Sequence, residues 1–147
     1  TAPTTPRGLT TITSPYGSME HALNISEMVT AAGAPYVARW TMLHTRDLTD
    51  SITEAIGKKG FSFIEALSPC PVNYGRRNKQ KPLDMLKAYQ EKAIIKNHAD
   101  PSTLDIDFEK GIILGKFIDL DRPTFIEHYD KIYRPNRLQE NVPELNS

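Results

Sequence analysis

The chain has 147 residues with 18 Lys+Arg, 18 Asp+Glu, 39% hydrophobic and 24% charged residues, which suits one domain and is too short for two. Its zero net charge gives no global electrostatic case for nucleic acid or an anionic membrane surface. The single cysteine excludes an internal disulfide framework and any zinc site of several cysteines within the chain.

Residues 1–18 carry Pro3, Pro6, Pro15, Gly8 and Gly17. Proline lacks the amide donor and fixes φ, so this stretch is predicted to be an ordered loop or extended arm. The start, Thr1-Ala2-Pro3-Thr4-Thr5-Pro6, reads like the middle of a protein, and a fragment or cleaved piece is the expectation. No apolar leader segment follows Thr1 and no run of about 18 apolar residues occurs, which predicts a soluble, cytoplasmic chain.

Asn24, with Glu27 three residues on, predicts a capped helix with Ile25, Met28, Val29 and Ala32 on its apolar face and Gly33 at its end. Tyr36–Trp40 reads as a strand. Leu48, Ile52, Ala55 and Ile56 recur at helical spacing, with Gly57 closing that helix. Phe61–Leu67 is a second strand. Helix, strand, helix, strand joined by short loops is the pattern of an α/β layer with parallel strands. Ligands in such sheets gather beyond the carboxyl ends of the strands, here just after Trp40 and just after Leu67. Pro82 opens a predicted helix carrying Leu83, Leu86, Tyr89 or Gln90, Ala93 and Ile94. Residues 97–111 read as a surface excursion and Ile112–Ile118 as a short strand interrupted at Gly115. Pro123 opens a last helix with Phe125, Tyr129 or His128, and Ile132 on one side. The polar tail from Pro135 to Ser147 is expected to wrap a partner or fray.

The chemistry concentrates in Leu67-Ser68-Pro69-Cys70-Pro71-Val72-Asn73-Tyr74-Gly75-Arg76-Arg77-Asn78. A lone cysteine between two prolines follows a strand where ligands are expected. On composition alone a small buried thiol in a turn is the commoner reading; a nucleophile or a metal ligand is the sharper one. No histidine lies close in sequence to serve a nucleophile, and a metal would need further ligands from another polypeptide or from missing sequence. Arg76, Arg77, Lys79 and Lys81 form a basic cluster, read either as a solvated loop or as a dock for an acidic protein partner or a phosphate-bearing ligand. His44 follows the first strand and reads as a surface or helix-capping residue. His21, His98 and His128 are isolated. Neither GxGxxG nor GxxxxGK[ST] occurs, and no carboxylate pair stands out for acid–base work.

Gly60-Phe61-Ser62-Phe63-Ile64-Glu65, running into Ser68-Pro69-Cys70-Pro71 and Tyr74-Gly75-Arg76-Arg77-Asn78, resembles the β subunit of 2-oxoacid:ferredoxin oxidoreductases, most closely the 2-oxoglutarate type. Ala2–Pro6, Ala31–Arg39, Phe117–Asp119 and Arg122-Pro123 agree with that family in order. The resemblance implies the C-terminal part of a thiamine diphosphate-binding α/β fold, with a mainly parallel sheet flanked by helices. Residues 1–80 would complete that domain, and 81–147 would form a helical and extended extension packing on partner subunits. It further implies oxidative decarboxylation of a 2-oxoacid with coenzyme A to an acyl-CoA, with electrons passed to ferredoxin. The cofactors implied are thiamine diphosphate, magnesium and a [4Fe-4S] cluster, bound mainly by an upstream half of the subunit. Cys70 would be the fourth cluster ligand, and Thr1 and Thr4 would lie at the thiamine pocket. Arg76 and Arg77 would orient an acidic electron acceptor or an adjacent subunit. The implied partners are that N-terminal half, an α subunit, possible further subunits, ferredoxin, the 2-oxoacid and coenzyme A, with no nucleic acid and no membrane. Pyruvate or a branched-chain 2-oxoacid as substrate, and an inactive α/β interaction fragment, are the rival readings.

Overall fold

The structure, a computed structural model, describes residues 2–107 and 110–134. Its elements are α1 (Ile25–Ala31), β1 (Tyr36–Thr41), α2 (Thr45–Gly57), β2 (Ser62–Leu67), a π-helical turn (Pro71–Gly75), α3 (Pro82–Lys92), β3 (Ala93–Ile95), a 3-10 turn (Pro101–Thr103), β4 (Ile106–Asp107), β5 (Gly111–Asp119) and α4 (Phe125–Tyr133). The strands form one sheet in the order β2-β1-β5-β3, with β4 also on β5.

β1 and β2 run parallel, as their intervening helix requires, with Tyr36 opposite Ser62 and Arg39 opposite Glu65. β5 lies antiparallel to β1 and parallel to β3, and β4 is antiparallel to β5. The sheet is thus a mixed one flanked by helices rather than a mainly parallel one. Beyond residue 80 the chain supplies three of its five strands. The β1–β5 register shifts between Val37 and Ala38, leaving Phe117 as the extra residue of a bulge. Gly115, inside β5, has φ +136°, and a Cβ there would meet the Asn97 Oδ1 at 2.8 Å. That close approach of the 96–97 segment explains why the strand carries a glycine and still continues.

All six residues of β1 are buried, so alternate side chains feed a core on each face. Val37 packs with Ala34, Ala99, Leu104 and Phe117 on one side. Tyr36, Ala38 and Trp40 pack with Ile112 and Leu114 on the other. The 97–106 excursion is consequently anchored by Ala99 and Leu104 and is not purely surface.

The helices sit in a different rotation from the one their apolar spacing predicts. In α1, Asn24 caps the Glu27 N–H at 3.1 Å as expected, but Met28 is exposed and Ser26 is fully buried. In α2, Ile52 and Ile56 are exposed while Ser51 is buried. The reason is polar: the Trp40 Nε1–H donates to Ser51 Oγ at 2.8 Å, and Ser26 Oγ–H donates to Glu65 Oε2 at 3.0 Å. An unmet buried donor costs on the order of 1–3 kcal/mol, enough to turn a short helix. Gly57 ends α2, but the left-handed turn is made at Gly60, φ +93°. α3 stops at Lys92, so Ala93 and Ile94 belong to a strand, and Met85 is its buried residue while Leu83 is exposed. In α4, Thr124 and Glu127 complete a reciprocal capping box, which places Pro123 one residue outside the helix. The tail 135–147 lies outside the described residues, as does Thr1.

Candidate functional site

The carboxyl ends of β1 and β2 lie side by side, tied by the Met42 N–H donating to Leu67 O at 2.9 Å. Both segments singled out by the strand-end rule therefore meet at one edge of the sheet. At the first, His44 occupies the N-cap position of α2, but its side chain does not cap the helix: its Nδ1 lies 2.8 Å from Thr41 Oγ1 instead.

At the second, Pro69 and Pro71 flank Cys70, and the chain turns through the π-helical segment, closed by the Gly75 N–H donating to Cys70 O at 2.9 Å. The thiol is exposed, which removes the reading of a buried structural cysteine. Backbone N–H groups of Asn73, Tyr74 and Val72, in that order of effect, converge on the sulfur and hold its pKa below the ordinary thiol value. Fixed donors favour the charged form, so the turn shifts this sulfur toward thiolate relative to an ordinary cysteine.

Cys70 stands in the wall of a cavity of about 630 Å³ that also includes Thr4, Thr5, Glu65, Met85 and Tyr89. Thr4 and Cys70, the described members of the predicted site, are thus brought to one hollow. Burial, then the neighbouring Tyr74, pushes the Tyr89 phenol up to about 12, so it remains a neutral group in this wall.

A latch holds the N-terminal arm over this cavity. Asn78 Oδ1 accepts from the Thr10 N–H at 2.9 Å, and Asn78 Nδ2 donates to Thr10 O at 3.1 Å and to Tyr74 O at 2.9 Å. Thr10 Oγ1 donates to Arg77 O at 3.3 Å. A hydrogen-bonding pair of residues 68 positions apart has no local sequence signature.

The deepest polar feature beside the cavity is Arg39. It is fully buried, and its Nε donates to Glu65 Oε2 at 2.7 Å. Its Nη1 donates to Leu104 O at 2.6 Å and its Nη2 to Ser26 Oγ at 3.5 Å. A fixed, multiply bonded guanidinium is what a buried carboxylate needs. Sequence reasoning missed this pair. The available signal was that Arg39 and Glu65 are the only charged residues of their strands and occupy matching positions in the parallel register.

A second, more open depression of about 840 Å³ at the other end of the sheet includes Glu54, Lys58, Lys59, Asp119, Asp121 and Arg122. Its charges are already matched. Lys58 pairs with Asp119 at 2.7 Å and with Asp121 at 3.0 Å, Lys59 pairs with Glu127, and Arg122 donates to Gly33 O. Ion pairs thus tie this end of the sheet together, with Arg122 meeting a backbone carbonyl rather than a carboxylate.

Among the described residues no three His, Cys, Asp or Glu side chains group so as to hold a metal ion. No described helix is long and apolar enough to cross a membrane. Cys70 fits one position of a thiolate-bound cluster; a full donor set must come from elsewhere.

No protein-family model matches the chain. It is 44% identical over 132 residues to a protein of Methanocaldococcus jannaschii named 2-oxoglutarate synthase subunit KorB, covering 89% of this chain and 48% of that protein. A protein of the same name from Methanothermobacter marburgensis is 43% identical, over 90% of this chain and 45% of its own length. One from Archaeoglobus fulgidus is 35% identical, over 95% and 49%. The chain therefore spans about half the length of the curated relatives it matches, and it is similar to them along nearly all of its own length. In fold it matches a 2-oxoglutarate:ferredoxin oxidoreductase from Magnetococcus marinus, solved with 2-oxoglutarate, coenzyme A and succinyl-CoA bound. There the TM-score is 0.69 with 21% identity, covering 95% of this chain and 51% of that one.

Proposed function

We propose that this chain is the C-terminal half of the β subunit of a cytoplasmic 2-oxoglutarate:ferredoxin oxidoreductase. The enzyme oxidatively decarboxylates 2-oxoglutarate with coenzyme A to succinyl-CoA and passes the electrons to ferredoxin. The observation that carries this reading is the exposed Cys70 thiol, ringed by backbone N–H groups at the carboxyl end of β2, in a chain homologous to KorB. When bound, thiamine diphosphate supplies the carbanion chemistry and a [4Fe-4S] cluster the one-electron steps.

This chain's own contributions are narrower. Cys70 would hold one iron of the cluster through its sulfur, its direction set by the flanking prolines and its thiolate form favoured by the Asn73, Tyr74 and Val72 amides. Thr4, in the wall of the cavity, would lie on its thiamine side; Thr1, given the same role from the sequence, falls outside the described residues. The magnesium ligands and the remaining cluster cysteines come from the other half of the subunit, which packs against this edge of the sheet. α4 presents Phe125, Ile126, Ile132 and Tyr133 to solvent and packs on an α or further subunit, as residues 81–147 were expected to do.

The test is native mass spectrometry and iron analysis of the anaerobically purified complex containing this chain. The wild-type chain should travel with an N-terminal β half and carry cluster and thiamine diphosphate mass. Cys70→Ser should lose the four-iron signal while keeping the subunits together. A Cys70→Ser complex with unchanged iron content and electron paramagnetic resonance would remove Cys70 from the cluster.

A further inference from the structure

Between Glu65 and Asp84 the chain carries no carboxylate and four cations, Arg76, Arg77, Lys79 and Lys81. All four are exposed, and none has an ion-pair partner among the described residues. Elsewhere Lys58, Lys59, Lys116 and Arg39 each pair with a carboxylate; what sets residues 66–83 apart is four cations in one short stretch with no carboxylate among them. In a chain of zero net charge, this loop is a local positive surface left unmatched.

The loop is also built rather than slack. The Asn78 N–H and Nδ2 both donate to Tyr74 O, at 3.0 and 2.9 Å, and the Gln80 N–H donates to Gly75 O at 2.8 Å. Lys79 sits in the left-handed region at φ +55°, which a non-glycine residue adopts only when its surroundings hold it there. Gly75 lies under Met85 Sδ and Gln80 O, at 2.9 and 3.0 Å from where a Cβ would stand. The same turn that ends in Arg76 begins at Cys70, joined across by the Gly75–Cys70 hydrogen bond.

We propose that Arg76, Arg77, Lys79 and Lys81 form the docking surface for the acidic face of the protein that accepts electrons from the group held at Cys70. This rests on the reading of Cys70 given above and adds to it a place for the acceptor. A cluster of exposed cations on a hydrogen-bonded turn steers an acidic protein by long-range attraction, a rate effect that salt screens. Sharing one turn with Cys70 sets the acceptor beside the electron donor.

The experiment compares the complete enzyme with complexes carrying Arg76→Glu/Arg77→Glu or, as a milder pair, Arg77→Gln/Lys81→Gln. Rates are measured with ferredoxin and with methyl viologen, a small dye that needs no protein dock. At low ionic strength the charge-reversal pair should raise the ferredoxin KM about tenfold or more. The milder pair should shift it less and flatten its salt dependence, with viologen rates kept within about twofold. Unchanged ferredoxin KM and salt dependence, with viologen activity intact, overturns the proposal. A raised coenzyme A KM in place of the ferredoxin effect also overturns it, and assigns the cations to a phosphate-bearing ligand. A wild-type complex that reduces neither acceptor with 2-oxoglutarate removes the parent reading itself, and this inference with it.

Discussion

Arg39, in the middle of β1, donates through Nε to Glu65 Oε2 of β2 at 2.7 Å, with the Arg39 side chain 1% exposed. Ser26 Oγ joins them from α1 and Leu104 O from the 97–106 excursion. Four segments distant in sequence thus converge on one guanidinium, which also lies 5.8 Å from the Phe117 ring centroid. Removing one partner of such a pair leaves an uncompensated buried charge, at about 3–5 kcal/mol. Arg39→Met should therefore lose that much stability in urea denaturation, a large share of a typical domain's total. Arg39→Met/Glu65→Met should recover part of the loss. A single mutant within about 0.5 kcal/mol of wild type would show that the network does not hold these segments together.

The arm over the cavity depends on Asn78. Asn78→Ala removes its bonds to Thr10 and Tyr74 and should cost roughly 1–3 kcal/mol. The loss should be local. Limited proteolysis within residues 2–23 should accelerate while hydrogen exchange in β1 stays as slow as in wild type; equal acceleration in both would mean that the latch supports the whole sheet.

Cys70 should betray its amide cage by its pH profile. Its pKa is lowered, chiefly by the Asn73 N–H, so alkylation by iodoacetamide in the cluster-free chain should rise around a midpoint below that of the urea-unfolded chain. The sign for stability follows: the folded thiolate's contribution is complete above the unfolded thiol pKa and is lost as pH falls through the lower folded value. Coincident midpoints in the two states would dismiss the cage.

Acid should act first at the opposite end of the sheet. Lys58 chiefly lowers the Asp119 pKa, and Lys116 chiefly lowers that of Glu54. Folded carboxyls depressed in this way contribute stability that is present above their unfolded values and lost as pH falls through the folded ones. Stability should hold from neutral pH down to the ordinary carboxylate range near pH 4 and then decline, more weakly in high salt. Asp119→Asn should lower stability at neutral pH by roughly 0.2–1 kcal/mol, as for exposed pairs, and make the acid decline shallower.

Most of the fold was legible in the sequence because it rests on local signals. The Asn24 cap is where punctuation puts it, the runs read at Tyr36–Trp40 and Phe61–Leu67 fall within a residue of the strands Tyr36–Thr41 and Ser62–Leu67, and the helix from Pro82 forms but ends at Lys92, before Ala93 and Ile94. The faces of α1 and α2 were read in part, with Val29, Leu48 and Ala55 against the core but Met28, Ile52 and Ile56 exposed, for one physical cause. Each helix turns a serine, Ser26 or Ser51, toward the sheet to serve a buried polar partner, and hydrophobic periodicity is blind to that. Cys70 stood out by its prolines and its place after a strand. Asn78 and Arg39 act through partners 68 and 26 residues away, distances at which only the folded chain brings them together.

Among the described residues β5 touches more of the sheet than any other strand, pairing with β1, β3 and β4, and it is the last strand in chain order. A ribosome therefore delivers β1 and β2 some 45 residues before the strand that covers the free flank of β1 (Gly111 against Leu67). Until Gly111–Asp119 has emerged, β1, buried along its whole length in the finished fold, has one open edge exposed to other nascent chains. The vulnerable interval of this protein's life is thus set by how quickly residues 68–119 are synthesised. Slow codons in that span should lower the yield of folded chain without changing a single contact in it.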